Sequence, residues 1–184
     1  MRPTEPRVTL ERPTLRRERD YLDACHRSRI LHRGLVAAAT TPADYRDYLE
    51  RAARPTQESF FVVAITSGQL AGVVNVLDVA RDAMPIGRLA YFAFLPHAGS
   101  GLMCEGVKHV IDVSFSELAL ARLDADIEPG NARSRALVER LGFRRGRFSP
   151  LQLKIGARWR AHERWTLLRS ESLAVDGQEL AARA

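Results

Sequence analysis

Lysine is nearly missing from this chain: of 28 basic side chains, only Lys108 and Lys154 are lysines. Such an arginine preference is a compositional bias and by itself excludes nothing. Cysteine is as scarce. Cys25 and Cys104 match no metal-ligand spacing and form no disulfide framework, which excludes a disulfide scaffold and points to a reduced, cytoplasmic setting. No apolar run is long enough for a membrane helix, so no membrane partner is expected. Residues 1–7 are polar and hold two prolines, and so lack the apolar core of a signal peptide. No metal is expected either, because His162 and the cysteines sit in no metal pattern.

What is present fits one soluble domain. A chain of 184 residues with 46% hydrophobic and 27% charged residues can bury a sizeable core. The expected boundaries are a flexible start at 1–7, a domain at 8–169 and a loosely attached tail at 170–184, which shows no apolar stripe. The net charge is +6, yet residues 131–169 hold eleven Lys or Arg against two acids, Glu139 and Glu163. Such a cluster suits a polyanionic partner. It carries no base-stacking aromatic pattern, so no direct nucleic-acid contact is required.

The pattern predicts a strand at 8–12 and a helix at 15–27 with Leu15, Leu22 and Cys25 on one face. Residues 28–40 read as irregular. Thr41-Pro42-Ala43-Asp44 opens a second helix: Thr41 caps, Pro42 suits the first turn and Asp44 favours the positive helix end. Strands at 60–65 and 70–79 flank Ser67-Gly68-Gln69, a hairpin signal. A loop at 81–87 leads to a nearly continuous apolar strand at 88–95, central in the sheet. A long helix at 101–118 keeps the period of Met103, Val107, Val110, Ile111, Ser114, Phe115 and Leu118. The strand at 122–128 turns Leu123, Ala125 and Ile127 inward and its charged residues outward. Asn131 caps and Gly142 ends a short helix at 131–141. Strands at 143–148, 151–155 and 163–168 follow, with Gly156-Ala157-Arg158 turning between the last two. This order makes an α/β fold, a mixed sheet with helices on both faces.

Two strand-turn-helix segments carry the chemistry. The first is Pro96-His97-Ala98-Gly99-Ser100-Gly101-Leu102-Met103. A pyrophosphate is polyanionic, and Gly99 and Gly101 have no Cβ to obstruct its approach to main-chain N–H groups at a helix start. A dinucleotide fold would want a third glycine where Cys104 stands, and Gly106 is out of register. The second segment, Glu128-Pro129-Gly130-Asn131-Ala132-Arg133-Ser134, opens a helix with an Asn and a Ser. Glu128 and Asp126 are candidate bases acting through water, against the plainer reading of solvated strand-end acids. Glu105, one turn into the long helix, either lines an acceptor site or bonds locally.

Taken in order, these segments resemble the GNAT N-acetyltransferase superfamily, and within it the RimJ/RimL-like ribosomal-protein alanine acetyltransferases. Further matches are Leu137-Val138-Glu139-Arg140-Leu141-Gly142-Phe143, Leu153-Lys154-Ile155-Gly156 and Arg158-Trp159-Arg160-Ala161-His162-Glu163. The resemblance implies the GNAT acyl-CoA fold and transfer of the acetyl group of acetyl-CoA to a primary amine. It makes a protein N-terminal α-amine, as on a ribosomal protein, the first acceptor to consider, with the enzyme a monomer or homodimer. It implies that Phe92, Ala93 and Phe94 bond the pantetheine arm, and that His97 to Met103 hold the pyrophosphate, with Ala98, Gly99, Ser100, Gly101 and Leu102 between. It also implies that Asn131 faces the arm, that Ser134 lies near the sulfur, and that Arg29 borders the acceptor. The Ser134 hydroxyl is a candidate proton donor to the departing thiolate, against the plainer reading of a first-turn serine that bonds the backbone.

The chain departs from that pattern at four places. Gly34-Leu35 replaces an aromatic residue near the acceptor loop. Phe148 stands where many members have a tyrosine. Gln152 is uncharged where a carboxylate would be useful, and Pro96-His97 lacks the Arg or Gln common at the turn in the wider superfamily. Two alternatives therefore stand: an acyl-CoA-binding module with little turnover, and an acetyltransferase of a small-molecule amine.

Overall fold

In the computed structural model of the chain, residues 5–81, 84–146, 151–155 and 158–172 are described, the side chains of 151–158 excepted. Two compact units are built from it. One takes in the chain up to Val76 together with Tyr91–Val110, and the other Leu77–Ala90 and the chain from Ile111 onward. The strands follow one another in the order β1-β2-β3-β4-β5-β8-β6, with β7 paired to β8, and helices flank this mixed sheet.

The first unit holds β1 (Val8–Glu11), α1 (Glu18–Arg27), α2 (Arg29–His32), α3 (Pro42–Ala52), β2 (Glu58–Ala64) and most of β3 (Leu70–Ala80). It also holds the end of β4 (Ile86–Ala93) and the start of α4 (Leu102–Ser116). β1 runs antiparallel to β2 from Val8↔Ala64 to Glu11↔Phe61, and β2 antiparallel to β3. The expected hairpin is present: Gly68 takes φ +67° and its N–H reaches the Ala64 carbonyl at 2.8 Å. The expected cap of α3 is a full capping box, with Thr41 Oγ1 accepting from Asp44 N at 3.1 Å and Asp44 Oδ2 accepting from Thr41 N at 3.0 Å.

Tyr21 of α1 centres the core of this unit, with ring centroids 4.9 Å from Tyr45, 5.6 Å from Tyr48 and Phe61, and 5.7 Å from Phe94. Burial pushes the Cys25 thiol up to about 12 and the Tyr45 phenol to about 12, so both stay neutral in the core. Two expectations are corrected here. Leu15 belongs to a separate 3-10 turn, Leu15–Arg17, whose three-residue period takes it off the α1 face, and it is 63% exposed. Residues 28–40 are not wholly irregular, because α2 lies within them.

The second unit is built on β5 (Arg122–Ile127), α5 (Ala132–Arg140), β6 (Arg144–Arg145), β7 (Leu151–Ile155) and β8 (Arg158–Leu168). β4 pairs parallel with β5 from Ile86↔Arg122 to Leu89↔Ala125. That pairing starts β4 inside the expected loop. β8 pairs antiparallel with β5, β6 and β7. Its first half lies on β7, which is why it begins at Arg158 rather than 163. Leu123, Ala125 and Ile127 are buried as expected, along with Val138, Phe143, Trp165 and Leu167.

The charged residues of β5 do not face outward as expected. The Asp124 and Asp126 side chains are only 9% and 3% exposed. Arg122 grips Asp124 at 2.8 and 2.7 Å, and Arg164, directly across on β8, grips Asp126 at 2.9 and 3.0 Å. Asp126 is thus satisfied from across the sheet, and Asp124 by its own strand and by Thr166 Oγ1 of β8 at 2.7 Å, where no solvent does. Of the expected tail, residues 170–172 are helical. The rest of the tail, Gly156-Ala157 and Arg147-Phe148-Ser149-Pro150 lie outside the described residues.

Candidate functional site

The glycine turn is held from three sides before it begins. Phe94 N–H donates to the Ala71 carbonyl of β3 at 2.8 Å. Leu95 N–H donates to Ser28 Oγ at 2.9 Å, and His32 Nε2 donates to the Ala93 carbonyl at 2.8 Å. Ser28 and His32 are buried, and the His32 ring sits edge-on to Phe92 at 5.2 Å. α2 therefore pins the end of β4. The chain then passes through a cis Leu95–Pro96 bond into the turn.

Inside the turn, the His97 carbonyl accepts from Ser100 N at 3.2 Å and from Ser100 Oγ at 2.6 Å, and Leu102 N–H reaches Ser100 Oγ at 3.4 Å. Gly99 and Gly101 take φ of +83° and +86°, which L side chains rarely adopt. The N–H groups of Gly99, Gly101, Met103 and Cys104 have no hydrogen-bond partner among the described residues. A Cβ placed on Gly99 would meet nothing within 4 Å. The result is a set of main-chain donors at the start of α4, bordered by open space, which is what a diphosphate requires.

Side chains of the turn are otherwise engaged. The Ser100 hydroxyl closes the turn on itself, and the His97 ring lies 3.2 Å from Gln69 Oε1. Ala98 is half-buried. Met103 is buried and packs on Gly72, where any Cβ would collide with Met103 Sδ and the Phe92 carbonyl. Met103 thus has only its main chain to offer a ligand.

The β4–β5 ladder ends at Leu89↔Ala125, although β4 continues to Ala93. Phe92 C=O and Phe94 N–H both face β3, so by strand alternation the Ala93 N–H and C=O face away from it. The Ala93 carbonyl is taken by His32, and its N–H lies beyond the end of the β5 ladder.

Glu105 corrects an expectation. It does not bond within its own helix: Oε1 accepts from Arg7 N at 2.6 Å and Val8 N at 3.2 Å, and Oε2 from Arg7 Nε at 2.9 Å. Burial alone would raise its carboxyl, but these bonds outweigh it and hold the group below the ordinary glutamate value. Arg29 is exposed at the first position of α2.

The remaining predicted residues belong to the second unit. Asn131 caps α5, its Oδ1 accepting from Ser134 N at 3.2 Å. That leaves the Asn131 amide nitrogen to donate. Ser134 is half-buried in the first turn of α5. Glu128 Oε1 accepts from Arg160 Nη1 at 2.9 Å, and Asp126 is occupied on both oxygens by Arg164. Phe148 lies outside the described residues, as does the side chain of Gln152.

Sequence reasoning missed Arg7, Ser28, His32 and Gly72. Ser28 and His32 are four residues apart, the spacing of one helix face, but a four-residue helix leaves no apolar period to find. A cavity of about 710 Å³ is lined by Glu11, Arg12, Thr14, Arg16, Arg17 and Asp20, none of them a predicted site residue. Its walls are mutually paired, Arg17 with Glu11 and Asp20 at 2.8 Å each.

Comparison with known proteins bears on this geometry. The family model of the acetyltransferase (GNAT) domain matches residues 7–144. The Probable N-acetyltransferase YjcK of Bacillus subtilis is 30% identical over 117 residues, 64% of this chain and 65% of that protein. The [ribosomal protein uS5]-alanine N-acetyltransferase of Escherichia coli is 31% identical over 94 residues, 51% of this chain and 48% of that protein. The chain thus spans less than two thirds of the length of these curated relatives. In fold it is similar to the spermidine N-acetyltransferase of Vibrio cholerae, solved with CoA and spermine, at TM-score 0.76 and 17% identity over 91% of this chain and 98% of that one. The chain belongs to the GNAT acetyltransferase family.

Proposed function

We propose that this protein transfers the acetyl group of acetyl-CoA to a primary amine, and that the acceptor is the N-terminal α-amine of a protein. The observation that carries the reading is the turn at Gly99–Gly101, with main-chain N–H groups that have no partner among the described residues, beside open space. Family membership supports the cofactor, and likeness to a ribosomal-protein-alanine acetyltransferase supports the acceptor.

The residues take separate roles. Gly99, Gly101, Met103 and Cys104 N–H groups bind the diphosphate, while His97, Ala98, Ser100 and Leu102 shape the turn. The main chain of Phe92 to Phe94 aligns the pantetheine arm, with Asn131 donating its amide to it. The Ala93 N–H is the donor for the thioester carbonyl as charge builds on its oxygen. The thioester supplies an activated acetyl group when bound. Ser134 holds the proton that the departing thiolate needs. Glu128, paired with Arg160, receives the amine proton through water. Arg29 borders the acceptor.

Two assays test this. Saturating acetyl-CoA raises the melting temperature of the purified protein by linkage. Free thiol then appears only when an acceptor is added, and faster with an Ala-initiated peptide than with spermidine. A missing thermal shift overturns the cofactor reading. A faster spermidine reaction overturns the acceptor, and thiol release independent of acceptor overturns the transfer.

A further inference from the structure

The turn carries no cation of its own: between Pro96 and Met103 the chain has no Arg or Lys. The structure supplies one from ninety residues away. Arg7 lies just ahead of β1, in the stretch read from sequence as a flexible start. Its Nε is fixed on Glu105 Oε2 at 2.9 Å while its own N–H sits on Glu105 Oε1. This leaves the two terminal nitrogens of the guanidinium directed at the turn. Nη1 is 3.5 Å from the Ser100 carbonyl, and Nη2 lies 3.4 Å from the point a Gly101 Cβ would occupy. Glu105 is the first acid of α4, and with Arg7 and the Val8 N–H upon it, its charge is compensated beside the turn. The Arg7 side chain is 50% exposed. Its forked donors are therefore oriented by a carboxylate yet open to a second anion.

We infer that Arg7 is a binding residue for the diphosphate of the acyl donor, standing in from the chain start for the cation that Pro96-His97 lacks. The inference rests on the acetyl-CoA reading above. Glu105 is then a positioning residue, holding Arg7 by its Nε so that the Nη edge faces the turn. This gives Gly101 a second reason to be glycine, since a Cβ there would crowd Arg7.

The test compares the wild-type protein with Arg7→Gln and Arg7→Lys by calorimetric titration with CoA, 3′-dephospho-CoA and pantetheine. A half-exposed charge-assisted contact is worth about a factor of ten in affinity. The expectation is that Arg7→Gln binds CoA and 3′-dephospho-CoA each about tenfold more weakly, and pantetheine as the wild type does. Arg7→Lys recovers part of the loss. The affinity for 3′-dephospho-CoA also weakens less with added salt in Arg7→Gln than in the wild type, because one screened charge contact has been removed. Unchanged CoA affinity in Arg7→Gln overturns the inference. So does a loss that disappears with 3′-dephospho-CoA, which would place Arg7 on the 3′-phosphate, or an equal loss for pantetheine, which would make its role structural. The melting temperature of each ligand-free variant reports whether loss of the Glu105 clasp has unfolded it. If Arg7→Gln is unfolded, Arg7→Lys decides by the same titration, and a 3′-dephospho-CoA affinity equal to that of the wild type overturns the inference. Failure of the wild-type protein to bind CoA at all would instead remove the acetyl-CoA reading, and the role of Arg7 with it.

Discussion

Ser134 sits in the first turn of α5 with its main-chain N–H already used by Asn131. If its hydroxyl protonates the departing thiolate, Ser134→Ala lowers kcat by about a hundredfold, the lower range for a lost general acid, and leaves the Kd for CoA unchanged. Steady-state kinetics and titration together check this, and a wild-type kcat in the variant removes Ser134 from the mechanism. The two cysteines differ just as sharply. Cys25 is buried with its thiol pushed up to about 12, whereas Cys104 is partly exposed in the first turn of α4. A thiol reagent applied to the folded protein at neutral pH modifies Cys104 and spares Cys25 until the chain unfolds. Peptide mapping after brief labelling reads this directly, and prompt labelling of Cys25 would contradict the packing of its unit.

Local chemistry explains which elements could be read from the chain and which could not. α3 was legible because its cap is covalently close: Thr41, Pro42 and Asp44 carry the whole signal, and the structure uses all three. Thr41→Ala therefore costs about 1 kcal/mol, measurable as a lower denaturant midpoint. α2 was not legible, because its four residues are held by Ser28 and His32 reaching the end of β4, partners some sixty residues away. The buried carboxylate of Asp126 looked outward-facing for the same reason, since Arg164 becomes its neighbour only once β8 pairs. At the site, the glycine turn was visible as a motif, whereas its supports were not. Gly72 is the clearest case, an unremarkable strand glycine whose missing side chain lets Met103 and Phe92 approach. Gly72→Ala overpacks this contact at a cost of roughly 1–3 kcal/mol and weakens CoA binding by shifting the start of α4. Thermal melts and titration on one preparation check both, and a variant with wild-type values of each would deny the close approach.

For the molecule as a whole, two sets of groups set the pH range of stability. Burial raises Cys25, Tyr21, Tyr45 and Tyr48, so these groups favour folding below their ordinary values and that contribution is lost as pH climbs past about 9 for Cys25 and 10 for the tyrosines. Glu105 is held low by Arg7 and Val8, so its contribution is present above the ordinary glutamate value and is lost as pH falls through its lowered one. Denaturant midpoints should therefore form a plateau that drops on both sides, and Glu105→Gln should lose part of the acid limb. An acid limb identical in that variant would contradict the clasp. The claim on which the functional account rests is that main-chain donors at the start of α4 grip a diphosphate. Amide NMR of the uniformly labelled protein titrated with CoA tests it most directly. The account predicts that the Gly99, Gly101, Met103 and Cys104 amide resonances shift downfield together and saturate with the binding isotherm; CoA binding that leaves these four unmoved would contradict it.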